Sequence, residues 1–328
     1  MQSRTKRRLP PEQVRALIGD ALGAGVTSTR ELTDGFANAA WRIGLDDGRS
    51  VVLKVGPPAE VEQLSYEREL LRTEAMVYRL AAAAGLPQAE LLHSSFDDPL
   101  IGGDYLIISA LDGVPWNRVR LPEAADRAVR YELGRLLVRL HAVTGADGFG
   151  YPYRPLSGPT WRDAFLAMTR AVLDDAIRWS IPLPVPRERI LGLVRAHAAA
   201  LDEVTRPALV HFDIWPGNVF LTGVGDRPAI QAIIDHERAF WGDPLAEFVS
   251  PTFHQGLDPA DPIVLGYLDA GGELRLDGAA RVRDLLYRAY LYLLLLVENG
   301  PRQYPEEEFA PVREQVTAAL IRCCELLG

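Results

Sequence analysis

Leu209-Val210-His211-Phe212-Asp213-Ile214-Trp215-Pro216-Gly217-Asn218-Val219-Phe220-Leu221, followed by Ile233-Ile234-Asp235-His236-Glu237-Arg238-Ala239, is the stretch on which the reading of this 328-residue chain turns. An apolar, strand-like run enters at Leu209, and a loop holding Asp213 and Asn218 follows. Val219–Leu221 and Ile230–Ile234 then read as a hairpin that returns the chain to Asp235. Asp213 and Asn218 are five residues apart across the Pro216-Gly217 turn, so both side chains can face one point. Singly, each residue has a structural reading: Asp213 as a turn or cap, Asn218 as a turn residue, Asp235 as the end of a strand. Together, each on a loop between apolar strands, they read as side chains exposed for a purpose.

Two carboxylates and an amide in that order suit phosphoryl transfer. One carboxylate accepts and orients a nucleophilic hydroxyl, and hard oxygen donors hold Mg²⁺ on the phosphates. Asp213 fits the first role. The Asn218 amide oxygen and the Asp235 carboxylate fit the second.

Outward from this island the texture is mostly helical on both sides. Ala124–Val143, Thr160–Trp179 and Arg187–Val204 carry helical apolar stripes, broken at Pro182-Leu183-Pro184-Val185-Pro186, and two or three more helices follow Asp243-Pro244, an N-cap and first-turn proline. The N-terminal part differs. A helix opens at Pro10-Pro11-Glu12. Thr27–Val55 then reads as three antiparallel strands with turns at Asp34-Gly35 and Asp46-Asp47-Gly48. Glu60–Ala84, free of Gly and Pro, predicts one long helix. Leu91–Ser94 and Tyr105–Ile108 add two strands. The expectation is an α+β chain of two lobes: residues 1–110, a small antiparallel sheet with one main helix, and residues 111–328, a larger helical lobe with an embedded hairpin. A cleft between such lobes suits a ligand.

Charge usage singles out one residue. Of 35 cationic side chains only Lys6 and Lys54 are lysines. Lys6 lies in the basic leader Arg4–Arg8, where any cation would serve. Lys54 ends the strand-like run Ser50-Val51-Val52-Leu53-Lys54-Val55, and an ammonium is not replaceable by a guanidinium where a compact point charge is needed. It is either an edge-strand lysine or part of a site.

The net charge of −9 argues against nucleic-acid binding and leaves room for a cationic ligand. Cys323 and Cys324 are adjacent, which suits packing in a reducing compartment better than a disulfide. The basic N-terminus has no apolar run behind it, so a secretory signal is not expected. The run Ala289–Val297 is too short for a membrane span. A cytoplasmic protein, a monomer or weak dimer without membrane or nucleic-acid partners, is the expectation.

His211-x-Asp213-x-x-x-x-Asn218 followed by Ile234-Asp235 resembles the catalytic and metal-binding loops of eukaryotic-like kinases. With Trp215-Pro216-Gly217-Asn218 and Asp235-His236-Glu237-Arg238-Ala239-Phe240-Trp241-Gly242-Asp243-Pro244, the chain is similar to the aminoglycoside phosphotransferase and choline kinase-like family, from about Leu32 to about Val297. That resemblance implies a two-lobed protein-kinase-like fold and a small-molecule kinase using ATP, or GTP, with Mg²⁺. It implies Asp213 as catalytic base, His211 as a brace of its loop, and Asn218 and Asp235 as metal ligands. It further implies Lys54 on the α/β-phosphates, paired with Glu74, with Glu67 and Glu69 as alternative partners. Backbone groups of Ser109 and Leu111 would hold adenine, and Gly35 and Asn38 belong to the nucleotide loop. Glu237, Glu247 and His254 fall where the helical lobe could face the acceptor, and His141 resembles a structural helix-end histidine. The nucleotide loop has one glycine, and neither Phe-Gly after Asp235 nor an Ala-Pro-Glu segment is present, which points away from a protein substrate. The implied acceptor is a hydroxylated, cationic antibiotic. The alternatives are a metabolic kinase of choline, homoserine or fructosamine type, and a nucleotide-binding pseudokinase.

Overall fold

Helix α1 (Pro11–Leu22) begins with proline in its first turn and is closed by Gly23 at φ 63°, the left-handed position glycine adopts without strain. The computed structural model describes residues 5–32, 38–145, 147–152, 155–225, 227–253 and 255–328. Five strands follow: β1 (Val26–Leu32), β2 (Ala39–Leu45), β3 (Ser50–Val55), β4 (Leu91–Asp98) and β5 (Gly103–Ser109), with α2 (Leu70–Ala83) between β3 and β4. They form one antiparallel sheet in the order β1-β2-β3-β5-β4. The turn expected at Asp34-Gly35 lies outside the described residues.

Strand period fixes where Lys54 points. Trp41, Ile43 and Leu45 of β2 and Val51, Leu53 and Val55 of β3 bury one face of the sheet beneath Val14, Leu17 and Ile18 of α1. Successive side chains alternate, so Lys54 falls on the opposite face. There it lies opposite Leu106 of β5, which packs on Leu71 and Ala75 of α2.

The helix expected from Glu60 starts ten residues later, at Leu70. Leu64 and Tyr66 leave the helical register to bury in the large helical core, Ser65 is tied to Asp175, and Glu69 takes a left-handed φ of 58°. Tertiary anchoring overrides helix propensity across residues 60–69.

The remainder is helical around short strands. In chain order come β6 (Val114–Pro115), α3 (Glu123–Ala142), β7 (Phe149–Gly150), β8 (Ser157–Gly158), α4 (Trp161–Arg178), α5 (Arg187–Ala196) and α6 (Ala198–Leu201). Then follow β9 (Ala208–Val210), β10 (Val219–Thr222), β11 (Ala229–Ile233), β12 (Phe240–Gly242), α7 (Pro262–Asp269), α8 (Gly278–Val297), α9 (Asn299–Arg302) and α10 (Glu306–Leu326). The expected hairpin is β10/β11, extended by β6, while β9 joins β12, β7 and β8 in a second small sheet. Trp161, Phe165, Phe212, Phe240, Tyr287 and Tyr290 centre the main core. Cys323 and Cys324 are buried free thiols in α10. Among the described residues no helix is long and apolar enough to cross a membrane.

Candidate active site

Lys54 is where the sheet, α2 and the β11 loop meet. Its Nζ donates to Glu74 Oε1 at 2.6 Å and to Asp235 Oδ1 at 2.7 Å, with the lysine side chain 12% exposed and the glutamate fully buried. Of the three glutamates weighed from sequence, Glu74 is the one bonded to Lys54. Glu67 pairs instead with Arg302, and Glu69 occupies the position before α2. Burial would strip the ammonium of its proton, but the Asp235 and Glu74 carboxylates outweigh it and hold the Lys54 pKa well above its usual value. Asp235 moves the other way: burial would raise its pKa, and the Lys54 ammonium with its hydrogen bond brings it below the ordinary aspartate value.

The loop between β9 and β10 carries Asp213. Its amide donates to His211 Nδ1 at 3.2 Å, which leaves His211 Nε2–H to donate to the Ile234 carbonyl at 3.0 Å. One imidazole therefore ties the Asp213 loop to the residue before Asp235. Asn218 Nδ2 donates to the Asp213 carbonyl at 2.9 Å, bringing the amide of Asn218 to the same turn. Phe212 and Asp235 have left-handed φ angles of 65° and 67°. Non-glycine residues hold that conformation only where their surroundings over-determine it, typically at functional sites. Burial pushes the Asp213 carboxyl up to about 6 against the pull of Arg238.

Glu247, weighed from sequence for the acceptor side, lies inside the fold. It is fully buried, and its oxygens accept the amides of His211 at 2.7 Å and Phe212 at 2.9 Å. His141 lies 3.4 Å from it and 3.0 Å from Tyr267 OH. Glu247 is thus a clamp on the backbone preceding Asp213, because buried amides need acceptors. Glu237 is also buried, accepting a short hydrogen bond from Asn38 Nδ2. That contact joins the residue two beyond Asp235 to the start of β2. Glu74, Asp235 and Glu237 converge, but the Lys54 ammonium already sits on the first two. Ser109 donates its amide to Glu90 O at 2.9 Å, and the Leu111 carbonyl accepts from Arg42 Nη1 at 3.0 Å. Gly35 and His254 lie outside the described residues.

Two sets of contacts in the site are not given by the sequence pattern. His236, fully buried with neither ring nitrogen hydrogen-bonded, stacks edge-on between His211 at 4.9 Å and Tyr78 of α2 at 4.7 Å. Arg238 stands 3.6 Å from Asp213 Oδ2 and 2.9 Å from Glu298 Oε1. The one signal for Glu298 is its place directly after the apolar run ending at Val297, where a charge on a core helix needs a partner.

The profile of the phosphotransferase enzyme family (APH) matches residues 28–285. None of the curated proteins matches the chain. Among solved structures, a candidate fructosamine-3-kinase from Thermobifida fusca superposes with a TM-score of 0.66 at 20% identity, covering 94% of this chain and 98% of that one. A thermostable mutant of aminoglycoside phosphotransferase APH(4)-Ia, in ternary complex with AMP-PNP and hygromycin B, gives 0.60 at 23% identity, covering 96% and 97%. A macrolide 2'-phosphotransferase type I gives 0.55 at 20% identity, covering 93% and 96%. At these identities the likeness to the solved structures is one of fold.

Proposed function

Because the chain belongs to the phosphotransferase enzyme family, we propose that it transfers the γ-phosphate of ATP to a hydroxyl of a small molecule, with residues 1–110 holding the nucleotide and 111–328 the catalytic loop and acceptor. The observation that carries this is the Lys54 ammonium within 2.7 Å of both Glu74 and Asp235, on the loop beside Asp213. The donor set fits Mg²⁺. Asn218 commits its nitrogen to the Asp213 carbonyl and so offers its oxygen, and the Asp235 side chain is 30% exposed. When bound, Mg²⁺ on the nucleotide supplies charge neutralisation at the transferred phosphoryl group.

The chain's own residues do the rest by position and charge. Asp213 accepts the hydrogen bond of the acceptor hydroxyl and orients its oxygen for in-line attack. Glu74 and Asp235 keep Lys54 charged for the phosphates, and His211 with Glu247 fixes the backbone on either side of Phe212. The Ser109 carbonyl and the Leu111 amide are the hinge groups we assign to adenine, or to guanine if GTP serves.

For the acceptor we favour a hydroxylated, cationic antibiotic, in keeping with the net charge of −9 and with hygromycin B in a solved relative. The fold likeness to a candidate fructosamine-3-kinase keeps a metabolic kinase as the second reading. The free thiols of Cys323 and Cys324 suit a reducing cytoplasm. A coupled ATP-consumption screen over aminoglycosides, macrolides, cyclic peptide antibiotics, choline, homoserine and fructosamines tests both. We expect turnover on a cationic antibiotic, falling by about 10²–10⁴ in Asp213→Ala with nucleotide binding retained. Turnover that survives the substitution overturns the mechanism, and activity confined to a neutral metabolite overturns the antibiotic assignment.

A further inference from the structure

Five charges of alternating sign run from the entry of α2 to the proposed base: Glu67, Arg302, Glu298, Arg238 and Asp213. Arg302 donates Nη2 to Glu67 Oε1 at 2.6 Å and Nη1 to Glu298 Oε2 at 2.7 Å. Glu298 Oε1 meets Arg238 Nη2 at 2.9 Å, and Arg238 Nε lies 3.6 Å from Asp213 Oδ2. The first four residues are only 2–6% exposed: Arg302 2%, Glu298 3%, Glu67 4% and Arg238 6%. Tyr66 OH adds a short hydrogen bond to Glu298.

A buried ion-pair chain is a poor way to gain stability, because desolvating each charge offsets its attraction and an apolar set of the same volume does as well. What it does supply is one fixed arrangement. The backbone agrees: among the described residues, four of the six non-glycine left-handed positions are Glu69, Phe212, Asp235 and Gln303, each beside or near a member of the chain. The segment that carries Glu67 is also bound to the helical part of the molecule. Ser65 donates its amide and hydroxyl to Asp175 at 2.6 and 2.9 Å, and Leu64 and Tyr66 sit in the helical core.

Resting on the phosphotransferase reading above, we propose that Glu298 and Arg302 are positioning residues that set both halves of the reaction centre as one unit. Through Arg238 they aim Asp213. Through Glu67 they fix residues 64–69, the lead into α2, and thereby the docking of Glu74 on Lys54.

The test compares wild type with Glu67→Met/Arg302→Met, which removes the distal pair without stranding either charge, and with Arg302→Lys and Glu67→Gln, which keep polar contact. Nucleotide affinity, kcat, KM and hydrogen exchange are measured on the whole protein. The expectation is a drop in kcat of at least tenfold in the double variant, with nucleotide affinity falling by a smaller factor. Arg302→Lys should restore most of it, and exchange should rise in both 64–76 and 211–218 while the sheet stays protected. Exchange that rises only around 298–305, or kcat that stays within twofold, overturns the proposal. If wild type turns over no acceptor and hydrolyses no ATP, the phosphotransferase reading fails by itself, and the paired exchange response still decides whether this network couples the two segments.

Discussion

Lys54 owes its position to two short contacts on a compact ammonium, Glu74 Oε1 at 2.6 Å and Asp235 Oδ1 at 2.7 Å. A guanidinium carries the same charge on a larger, planar fork and cannot place one nitrogen between both carboxylates in that space. Lys54→Arg is therefore expected to lower turnover roughly a hundredfold, the scale of losing one preorganised electrostatic contact, while circular dichroism shows a folded protein; unchanged kcat would mean that phosphoryl transfer does not rely on a compact ammonium at this position. Local pattern alone makes this residue legible: it is a lysine in an arginine-rich chain, at the end of an apolar strand. Asp213, Asn218 and Asp235 are legible for the same reason, since their spacing is short and their flanks are apolar. Arg238 and Glu298 are not, because what defines them is a contact between residues sixty apart in sequence. The role of Glu247 on the backbone is not legible either, because sequence gives its charge and not the two amides it satisfies.

Elements show the same division between local and distant causes. Strands β2 and β3, with their alternating burial, and helices α3, α4 and α8, with long apolar stripes, follow from period alone. Strands of two or three residues, such as β6, β7 and β12, have no period to read, and the late start of α2 depends on a core that residues 60–69 enter from elsewhere. The crossing of α3 and α7 is a further case. A Cβ on Gly134 would fall inside contact distance of the Ile263 carbonyl, and one on Gly266 inside that of the Tyr131 carbonyl, so the two backbones approach as only glycines permit. Gly266→Ala should cost about 1–3 kcal/mol, the usual penalty of overpacking a close interface, read as a lower urea midpoint with an unchanged slope. No loss of stability would mean that α7 shifts freely over α3. Because His141 in the last turn of α3 contacts Glu247, the same variant is expected to lower turnover slightly more than stability alone accounts for.

For the molecule as a whole, the buried site sets function against stability. Burial holds the Asp213 carboxyl at about 6, where the unfolded chain has 3.8, so the fold favours the neutral acid over the carboxylate that the proposed mechanism uses. The sign follows directly. A group whose folded pKa lies above its unfolded one contributes stability in full below the unfolded value and loses it as pH rises through the folded value. At neutral pH the empty enzyme therefore carries an ionised Asp213 at a cost. Asp213→Asn supplies the neutral form permanently, and its advantage over wild type should grow from under about 2 kcal/mol near pH 5 to about 3 kcal/mol above pH 7, at 1.36 kcal/mol per unit. Parallel thermal or urea unfolding of the two proteins across that range measures it, and comparing them at each pH cancels the opposing titration of His236, whose pKa burial holds well below its ordinary value. A difference that stays flat with pH would place Asp213 in an ordinary solvated environment and remove the strain argued here. A variant that unfolds later while losing turnover would show the stability–activity conflict expected of a site built to hold a charge.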